Sequence, residues 1–318
     1  VDVNPQVGAR EWDAFQRGLQ SFRAGGKAEP KCVRRAFEDQ RQAGCAAIEP
    51  EGPPRKETMV AVTAGLELIR FNTAQPGRIL DRRPLQGLPA GDTLVGIDFR
   101  VARGVLYALS RQGLLYTLDA ASGRLTRIGQ GALALPLHGQ RFGFDFNPAA
   151  DRIRVVGDGG FNVRLHPDTG AVVDGDPARE GVQPDAALAY VKGDTNEGQA
   201  PQVLAAGYTY NRTDDKLTTN YAIDSRQGAL VMQGSREGST PVVSPNSGRL
   251  TTVGALGTGP LDDASFDIAD LTNAAFAAVR SVGATRTRLL LVDLATGRAQ
   301  ALGTVGDGSP LLGIAIEP

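Results

Sequence analysis

Apolar and polar residues alternate in short stretches along most of the chain, and each stretch ends in a polar cluster with a glycine. This alternation has the period of a β-strand with one buried face. A glycine beside Asp, Asn, Ser or Thr is typical of a β-hairpin turn. The pattern occurs at 71–82, 118–129, 165–176, 223–234, 243–254 and 292–303. We therefore expect an all-β protein made of repeated hairpins.

The turn glycines give the length of the repeat. Gly77, Gly123 and Gly170 are 46 and 47 residues apart, and Gly248 precedes Gly297 by 49 residues. One four-stranded unit per 40 to 50 residues, roughly, is typical of a β-propeller blade. The spacing therefore predicts a propeller.

A second repeated element, a short apolar strand with a small residue, opens each unit. The copies start 47, 46, 77 and 47 residues apart, and they occupy 94–99, 141–146, 187–192, 264–269 and 311–316. The long interval contains two hairpin copies, so we interpret it as one enlarged blade. This predicts five blades, and six is the alternative.

The two ends of the repeat array complete each other. The first blade, at 59–73, has no opening strand before it, and residues 311–317 form an opening strand with no blade after it. We expect 311–317 to complete the first blade, because a closed ring leaves no sheet edge open to aggregation.

Residues 1–57 contain neither repeat. The spacing of Trp12, Phe15, Leu19 and Phe22 predicts an amphipathic helix, and a second short helix and a Pro-rich linker follow. The predicted domains are therefore a helical extension with its linker at 1–57 and a propeller at 58–318. The helices have no core of their own, so we expect them to dock on the propeller or on a partner.

Cys32 and Cys45 are the two cysteines of the chain, and both lie in the helical extension. A disulfide between them would stabilise the segment by about 3 kcal/mol, and two reduced thiols are the alternative. We favour the disulfide, because an isolated pair fits an oxidising compartment. The chain also begins without Met, as expected after removal of a leader peptide. These features predict a periplasmic or secreted protein.

Charge and hydropathy exclude two classes of partner. The net charge is −1 and no basic stripe occurs, which argues against nucleic-acid binding. No run of about 18 apolar residues occurs, so we expect no membrane span. An unidentified protein or a small molecule remains as the partner.

Three stretches of the chain resemble a known family: LVGIDFRVARGVLYAL, RFGFDFNPAADRIRVVGDGGFNVRLHPDTG and SFDIADLTNAAFAAV. They are similar to the bacterial domain of unknown function 4394 over about residues 58–318. The resemblance implies a propeller-like repeat domain of exported bacterial proteins. It implies no activity, substrate or catalytic residue.

The chain has two histidines, His138 and His166, and none of the GxSxG, HExxH or GxxxxGK[ST] motifs. His166 occupies a hairpin turn, where we expect a solvated residue. His138 lies in a loop before an opening strand, where propellers place ligand-facing loops, so it is a candidate ligand-binding residue. Ordinary loop structure is its alternative. We assign no catalytic residue.

Three aspartates, Asp98, Asp145 and Asp267, occupy the same position of three opening strands, and Val191 and Ala315 take that position in the other two. If these strands line the channel, three carboxylates approach one axis. They would bind a hard cation such as Ca²⁺ there, or one of them would have a raised pKa. The alternative is that each accepts backbone hydrogen bonds, or pairs with an arginine, between blades.

Arg152 and Arg154 lie on one face of a strand, and Arg164 follows on the next strand. Together they could bind a carboxylate or phosphate. They could equally pair with Asp98 and Asp145 as structural bridges between blades.

These observations favour an exported, non-catalytic propeller that binds or scaffolds and needs no cofactor. The alternative is a metal-dependent hydrolase of the lactonase or esterase type, with Ca²⁺ or another cation held by Asp98, Asp145 and Asp267.

Overall fold

The computed structural model describes residues 55–318, which form twenty strands arranged as a five-bladed β-propeller. Blade 1 contains β1 (Thr58–Thr63), β2 (Glu67–Asn72), β3 (Ile79–Pro84) and β20 (Leu311–Ile316). Blade 2 contains β4 (Leu94–Arg100), β5 (Val105–Ser110), β6 (Leu115–Asp119) and β7 (Arg124–Ile128). Blade 3 contains β8 (Phe142–Asn147), β9 (Arg152–Gly157) and β10 (Asn162–Leu165).

Blade 4 contains β11 (Ala189–Tyr190), β12 (Val203–Tyr208), β13 (Asn220–Asp224), β14 (Ala229–Gln233) and β15 (Arg249–Ala255). Blade 5 contains β16 (Leu261–Ile268), β17 (Ala275–Ser281), β18 (Arg288–Val292) and β19 (Ala299–Thr304). Single 3₁₀ turns lie at Val101–Arg103 and Pro245–Ser247. The innermost strands are β20, β4, β8, β12 and β16, and they surround the central channel. We call the side where these strands begin the entry face, and the opposite side the exit face.

The hydrophobic core is divided among the spaces between blades. The described residues form five apolar clusters, one between each pair of neighbouring blades around the ring. Phe71 of blade 1 packs in the same cluster as Phe276 of blade 5, and Phe266 of blade 5 packs in the same cluster as Leu230 of blade 4. Each strand therefore presents its apolar face to a neighbouring blade, which explains the alternation along the chain.

The last strand closes the ring, as predicted. Strand β20 pairs antiparallel with β1, so that Ala315 lies opposite Val60. Beyond β20, the backbone N–H of Glu317 donates to the carbonyl of Thr58 at 2.9 Å. The β20–β1 pair leaves blade 1 with a complete set of four strands, and the five-blade prediction is confirmed.

The enlarged blade is also confirmed, but its predicted opening strand at 187–192 is wrong. Only Ala189–Tyr190 forms a strand there, and it pairs parallel with β15 at the outer edge of blade 4. Tyr190 is held at this edge because its hydroxyl donates to Asp224 at 2.8 Å. The innermost strand is instead β12, every residue of which is buried. Its sequence is also a short apolar stretch with small residues, so the pattern alone did not separate it from 187–192.

Two of the six predicted hairpins differ from the pattern. At 165–176 the second strand is reduced to a bridge between Leu165 and Val172, which leaves blade 3 with three strands. At 243–254 the glycine ends the 3₁₀ turn Pro245–Ser247, and β15 alone follows it. Ser244 caps that turn by accepting from the N–H of Asn246, so a capped turn has the same polar residues as a hairpin turn.

The predicted helices at 1–57, with Cys32 and Cys45, lie outside the described residues except for Arg55, Lys56 and Glu57. Within residues 55–318, no helix has the length and hydropathy of a membrane span.

Glycines allow the inner strands to approach closely around the channel. A Cβ on Gly143 of β8 would lie 2.5 Å from the backbone nitrogen of Ala206 in β12. A Cβ on Gly96 of β4 would lie 2.3 Å from Cβ of Phe144 in β8. Neither space admits a side chain, so these two opening strands need glycine where they contact the next inner strand, at its backbone for Gly143 and at the Phe144 side chain for Gly96.

Deletion of residues 311–318 should prevent the ring from closing. The buried strand β1 would then present unpaired N–H and C=O groups along its length, which favours aggregation. We expect aggregation or loss of the cooperative thermal transition, measured by light scattering and circular dichroism. Deletion of Pro318 alone keeps every β20 pairing and is the matched control. A monomeric 311–318 deletion with an unchanged melting temperature would contradict this closure.

Candidate functional site

Three buried carboxylates meet in the channel. Asp98 of β4, Asp145 of β8 and Asp267 of β16 each offer an oxygen that lies within 4.8 Å of the others. Their exposed fractions are 5%, 3% and 6%. The predicted convergence of these side chains is therefore present in the fold, and we call them the channel trio.

Each member of the channel trio accepts a hydrogen bond from the inner strand of another blade. The N–H of Phe146 donates to Asp98 at 2.7 Å, and the N–H of Tyr208 donates to Asp145 at 2.9 Å. Asp267 accepts from the N–H of Ile316 at 2.5 Å. Because an innermost strand is a sheet edge, these N–H groups have no partner within their own blade, and the carboxylates satisfy them.

This bonding corrects the alignment of the fourth blade. Tyr208 of β12 corresponds to Phe146 of β8, so Gly207 and not Val191 occupies the aspartate position. Ala315, before Ile316, is the equivalent residue of β20, as predicted.

The three carboxylates are not equivalent. Asp98 accepts a second bond from the N–H of Phe99 at 2.7 Å, and Asp267 accepts one from the N–H of Ile268 at 2.6 Å. Both oxygens of these two side chains therefore face backbone donors. Among residues 55–318, Asp145 accepts a hydrogen bond from Tyr208 only. Asp145 is consequently the member best suited to carry a proton.

No lysine or arginine of residues 55–318 forms an ion pair with the channel trio. Burial, followed by the negative charges of its neighbours, raises the pKa of Asp145 well above its usual range. Burial and the charge of Asp267 do the same to the pKa of Asp98. Burial raises the pKa of Asp267 to about 7, although two backbone N–H groups favour its ionised form. Burial and mutual repulsion thus favour the protonated form of these carboxyls.

Tyr210 belongs to the surroundings of the channel trio, and the sequence pattern did not identify it. Burial and the charges of the three carboxylates raise the pKa of its phenol, which keeps the hydroxyl protonated. Asn273 holds its backbone, accepting from the N–H of Tyr210 and donating to its carbonyl, both at 2.8 Å. The irregular segment after β12 thus places a hydrogen-bond donor near the trio, where strand alternation gives no signal.

The arginines of blade 3 do not pair with the channel trio. Arg154 donates to Asp185 at 2.6 Å, and Arg164 donates to the same carboxylate at 2.7 Å. Arg154 is 2% exposed and also donates to Asn246 of blade 4. Arg152 lies apart from them and donates to the carbonyl of Asp151. Arg154 and Arg164 therefore join blade 3 to the segment before β11, which carries Asp185. The expected pairing of these arginines with Asp98 and Asp145 is wrong.

His138 lies on the entry face, in a groove of about 640 Å³ between blades 3 and 4. Its ring contacts Phe161 with centroids 6.4 Å apart, and Leu135 and Pro136 add apolar surface. Asp158 and Gln202, joined by an isolated backbone bridge, lie on the polar side. We call this cavity the His138 groove. The other histidine, His166, lies in the predicted turn, where its Nδ1 accepts from the N–H of Asp168.

Comparison with known proteins gives one family. The profile of a family described as a domain of unknown function, DUF4394, matches residues 67–315. The chain belongs to the DUF4394 family. The match includes the channel trio and the His138 groove, and the family resemblance noted in the sequence is thereby confirmed. No curated protein matches this DUF4394 chain.

Several solved structures are similar to this DUF4394 chain in fold. A nidogen–laminin complex is 12% identical with a TM-score of 0.44, and the alignment covers 82% of this chain and 98% of that one. A Bacteroides thetaiotaomicron protein of unknown function is 13% identical with a TM-score of 0.46, and the alignment covers 75% of this chain and 59% of that one. Myxococcus xanthus glutaminyl cyclase is 13% identical with a TM-score of 0.41, covering 71% and 83%.

The protonation of the channel trio gives a pH prediction for the Asp145→Asn variant. A carboxyl whose pKa is raised by folding binds more protons folded than unfolded, so its contribution to stability is present below the unfolded pKa. That contribution is lost as pH rises through the folded pKa. For Asp267, whose folded pKa is about 7, the wild type should therefore lose up to about 1.4 kcal/mol of unfolding free energy per pH unit between about pH 4 and about pH 7. The raised pKa values of Asp98 and Asp145 act in the same direction.

The amide introduced by Asp145→Asn has no proton to lose and still accepts from Tyr208, so the variant should gain stability relative to the wild type as pH rises. Urea denaturation across this pH range measures the difference. The Asp98→Asn variant is the control. Both oxygens of Asp98 accept from backbone N–H groups, so the NH₂ group of the asparagine would face one of these donors. This substitution should lower the unfolding free energy by about 1–3 kcal/mol. If the difference in unfolding free energy between Asp145→Asn and the wild type stays constant with pH, protonation at Asp145 is refuted.

Proposed function

We propose that this DUF4394 chain is a non-catalytic binding module that takes a small ligand in the His138 groove. The observation that carries the proposal is the groove itself. Its volume of about 640 Å³ falls within the roughly 300–1,000 Å³ of small-molecule sites. Such sites combine apolar walls with a few convergent polar groups, and this groove has both.

The ligand we propose has a ring or another flat apolar face and adjacent hydrogen-bonding groups. The ring of Phe161 is held by Phe142 at 6.0 Å between centroids, in an edge-to-face arrangement, and so offers a fixed aromatic surface. Within residues 55–318, one oxygen of Asp158 and the side-chain amide of Gln202 have no hydrogen-bond partner. These groups are available to a ligand hydroxyl or amide.

The rival proposal is a metal-dependent hydrolase with a cation at the channel trio. Its support is the approach of three carboxylates, none of which forms an ion pair with a basic residue of 55–318. Ca²⁺ takes about six to eight oxygen ligands, but five of the six trio oxygens already face backbone N–H groups, those of Phe99, Phe146, Tyr208, Ile268 and Ile316. The binding module is therefore the better supported proposal, and it requires no cofactor.

We also propose that the protein is exported to the periplasm or secreted, with Cys32 and Cys45 joined. The support is an isolated cysteine pair in an otherwise cysteine-free chain.

A variant that fills the groove tests the binding proposal. Ala187 is exposed and lines the His138 groove, so Ala187→Trp should occupy the cavity without disturbing the core. Ligand-observed saturation-transfer NMR with a library of sugars and small aromatic alcohols supplies the measurement. Fragments that bind the wild type should lose their signal with Ala187→Trp. They should keep it with Ala295→Trp, which adds the same ring at an exposed turn of blade 5. Identical binding to both variants would overturn the proposal.

A thermal-shift measurement tests the rival proposal separately. If the channel trio holds a cation, a chelator should lower the melting temperature and Ca²⁺ should restore it. A hundredfold excess of ligand over its dissociation constant stabilises by about 2.7 kcal/mol. Asp145→Asn should then abolish the response. We expect no response to chelator or Ca²⁺ in either protein, because the trio serves as a set of backbone acceptors.

A further inference from the structure

The channel has a second cavity, of about 70 Å³, where the inner strands begin on the entry face. All five blades line it, through Thr93, Phe142, Leu204, Asp263 and Leu311 among others. We call it the channel mouth. It is a different cavity from the His138 groove, and the loop that carries His138, Gln140 and Arg141 separates the two.

Positive charge is concentrated at the channel mouth. Arg111 and Arg141 line it, and Arg280 lies 3.9 Å from the carboxylate of Asp263, which also lines it. Asp263 is largely buried, and it is the one acidic side chain in the lining. Its neighbour Asp262 is exposed, so solvent screens that charge. Two guanidinium groups therefore line the mouth and a third lies beside it, against one largely buried carboxylate.

Arg111 is fixed in place with no acidic partner among the residues that the structure describes. It donates to the carbonyl oxygens of Gly139 at 2.8 Å and Gln140 at 2.7 Å. Its guanidinium lies over the ring of Phe142, 5.3 Å from the centroid. These contacts orient the group but leave its charge uncompensated. A fixed and uncompensated guanidinium is prepared for an anion, because no reorganisation is needed when the anion binds.

Arg141 supplies the N–H groups that can donate hydrogen bonds to an anion at the channel mouth. Its Nε lies 3.5 Å from Asp263, which is a long contact, and its terminal nitrogens have no acceptor among residues 55–318. The side chain is 41% exposed, so an incoming ligand can reach it. Two parallel N–H groups of one guanidinium match the two oxygens of a carboxylate.

The cavity volume limits what enters. A cavity of roughly 10–15 Å³ on this measure holds one water, so this one has room for a few waters or for one small planar group. We infer that the channel mouth is a carboxylate-binding site, in which Arg141 binds the carboxylate of a small organic anion and Arg111 adds charge. The remainder of the ligand lies outside the cavity, on the entry face.

Trifluoroacetate is the probe, because its ¹⁹F signal reports binding to the full chain directly. The signal should broaden and shift saturably with the wild type. The isosteric neutral probe trifluoroacetamide should show neither effect, since it lacks the charge. Equal responses to the two probes, or no saturable response to trifluoroacetate, would overturn the inference.

Matched arginine variants locate the site. Arg141→Gln should weaken trifluoroacetate binding at least about tenfold, the effect of losing a charged hydrogen-bond donor. Arg298→Gln, an exposed arginine in the β18–β19 turn, should bind as the wild type does. Circular dichroism checks that both variants fold. Unchanged affinity in a folded Arg141→Gln variant would refute the site, as would an equal loss in Arg298→Gln.

Discussion

The propeller depends on how the innermost strand of each blade satisfies its free backbone N–H groups. A sheet edge that faces a narrow channel has no room for another strand and little water. Here three of these strands carry an aspartate whose carboxylate reaches an N–H of another blade. The arrangement ties blades 2 to 3, 3 to 4 and 5 to 1, and it places three ionisable carboxyl groups within one small volume. The same three carboxylates make the hydrogen bonds between blades and repel one another when ionised. The protonation state of the channel trio is therefore linked to the stability of the ring.

The two ends of the channel differ in chemistry. At the entry face, arginines and an aromatic groove surround the openings. Asp98 and Asp267 lie in the second half of their strands, towards the exit face, and Tyr210 follows at the end of β12. An anion attracted by Arg141 would therefore be repelled if it moved further along the channel. This opposition of charge favours a ligand that stops at the mouth, and it suits a binding protein better than a conduit.

The sequence predicted the features that follow from local periodicity. The hairpin glycines, the alternation around Asp98, Asp145 and Asp267 and the unpaired strand at 311–317 led to the fold, the channel trio and the ring closure. The prediction failed in blade 4 because two short apolar stretches, 187–192 and 203–208, both fit the pattern of an opening strand. The structure places β12 innermost, and the hydroxyl of Tyr190 fixes 189–190 at the outer edge. The partners of Arg154 and Arg164, and the meeting of Arg111 with Arg141, depend on loops distant in the chain, for which one sequence has no periodic signal.

The pairing of β1 with β20 has a consequence for the order of folding. Val60 and Ala315, which lie opposite each other, are 255 residues apart in the chain. The conformational entropy lost when a flexible loop of that length is closed is worth about 5 kcal/mol on the (3/2)RT ln n relation. Contacts this distant form slowly, and blades 2 to 5 can form local hairpins before the ring closes. During synthesis, blade 1 stays incomplete until the last strand has left the ribosome. The nascent protein is therefore an open chain of blades until β20 pairs with β1.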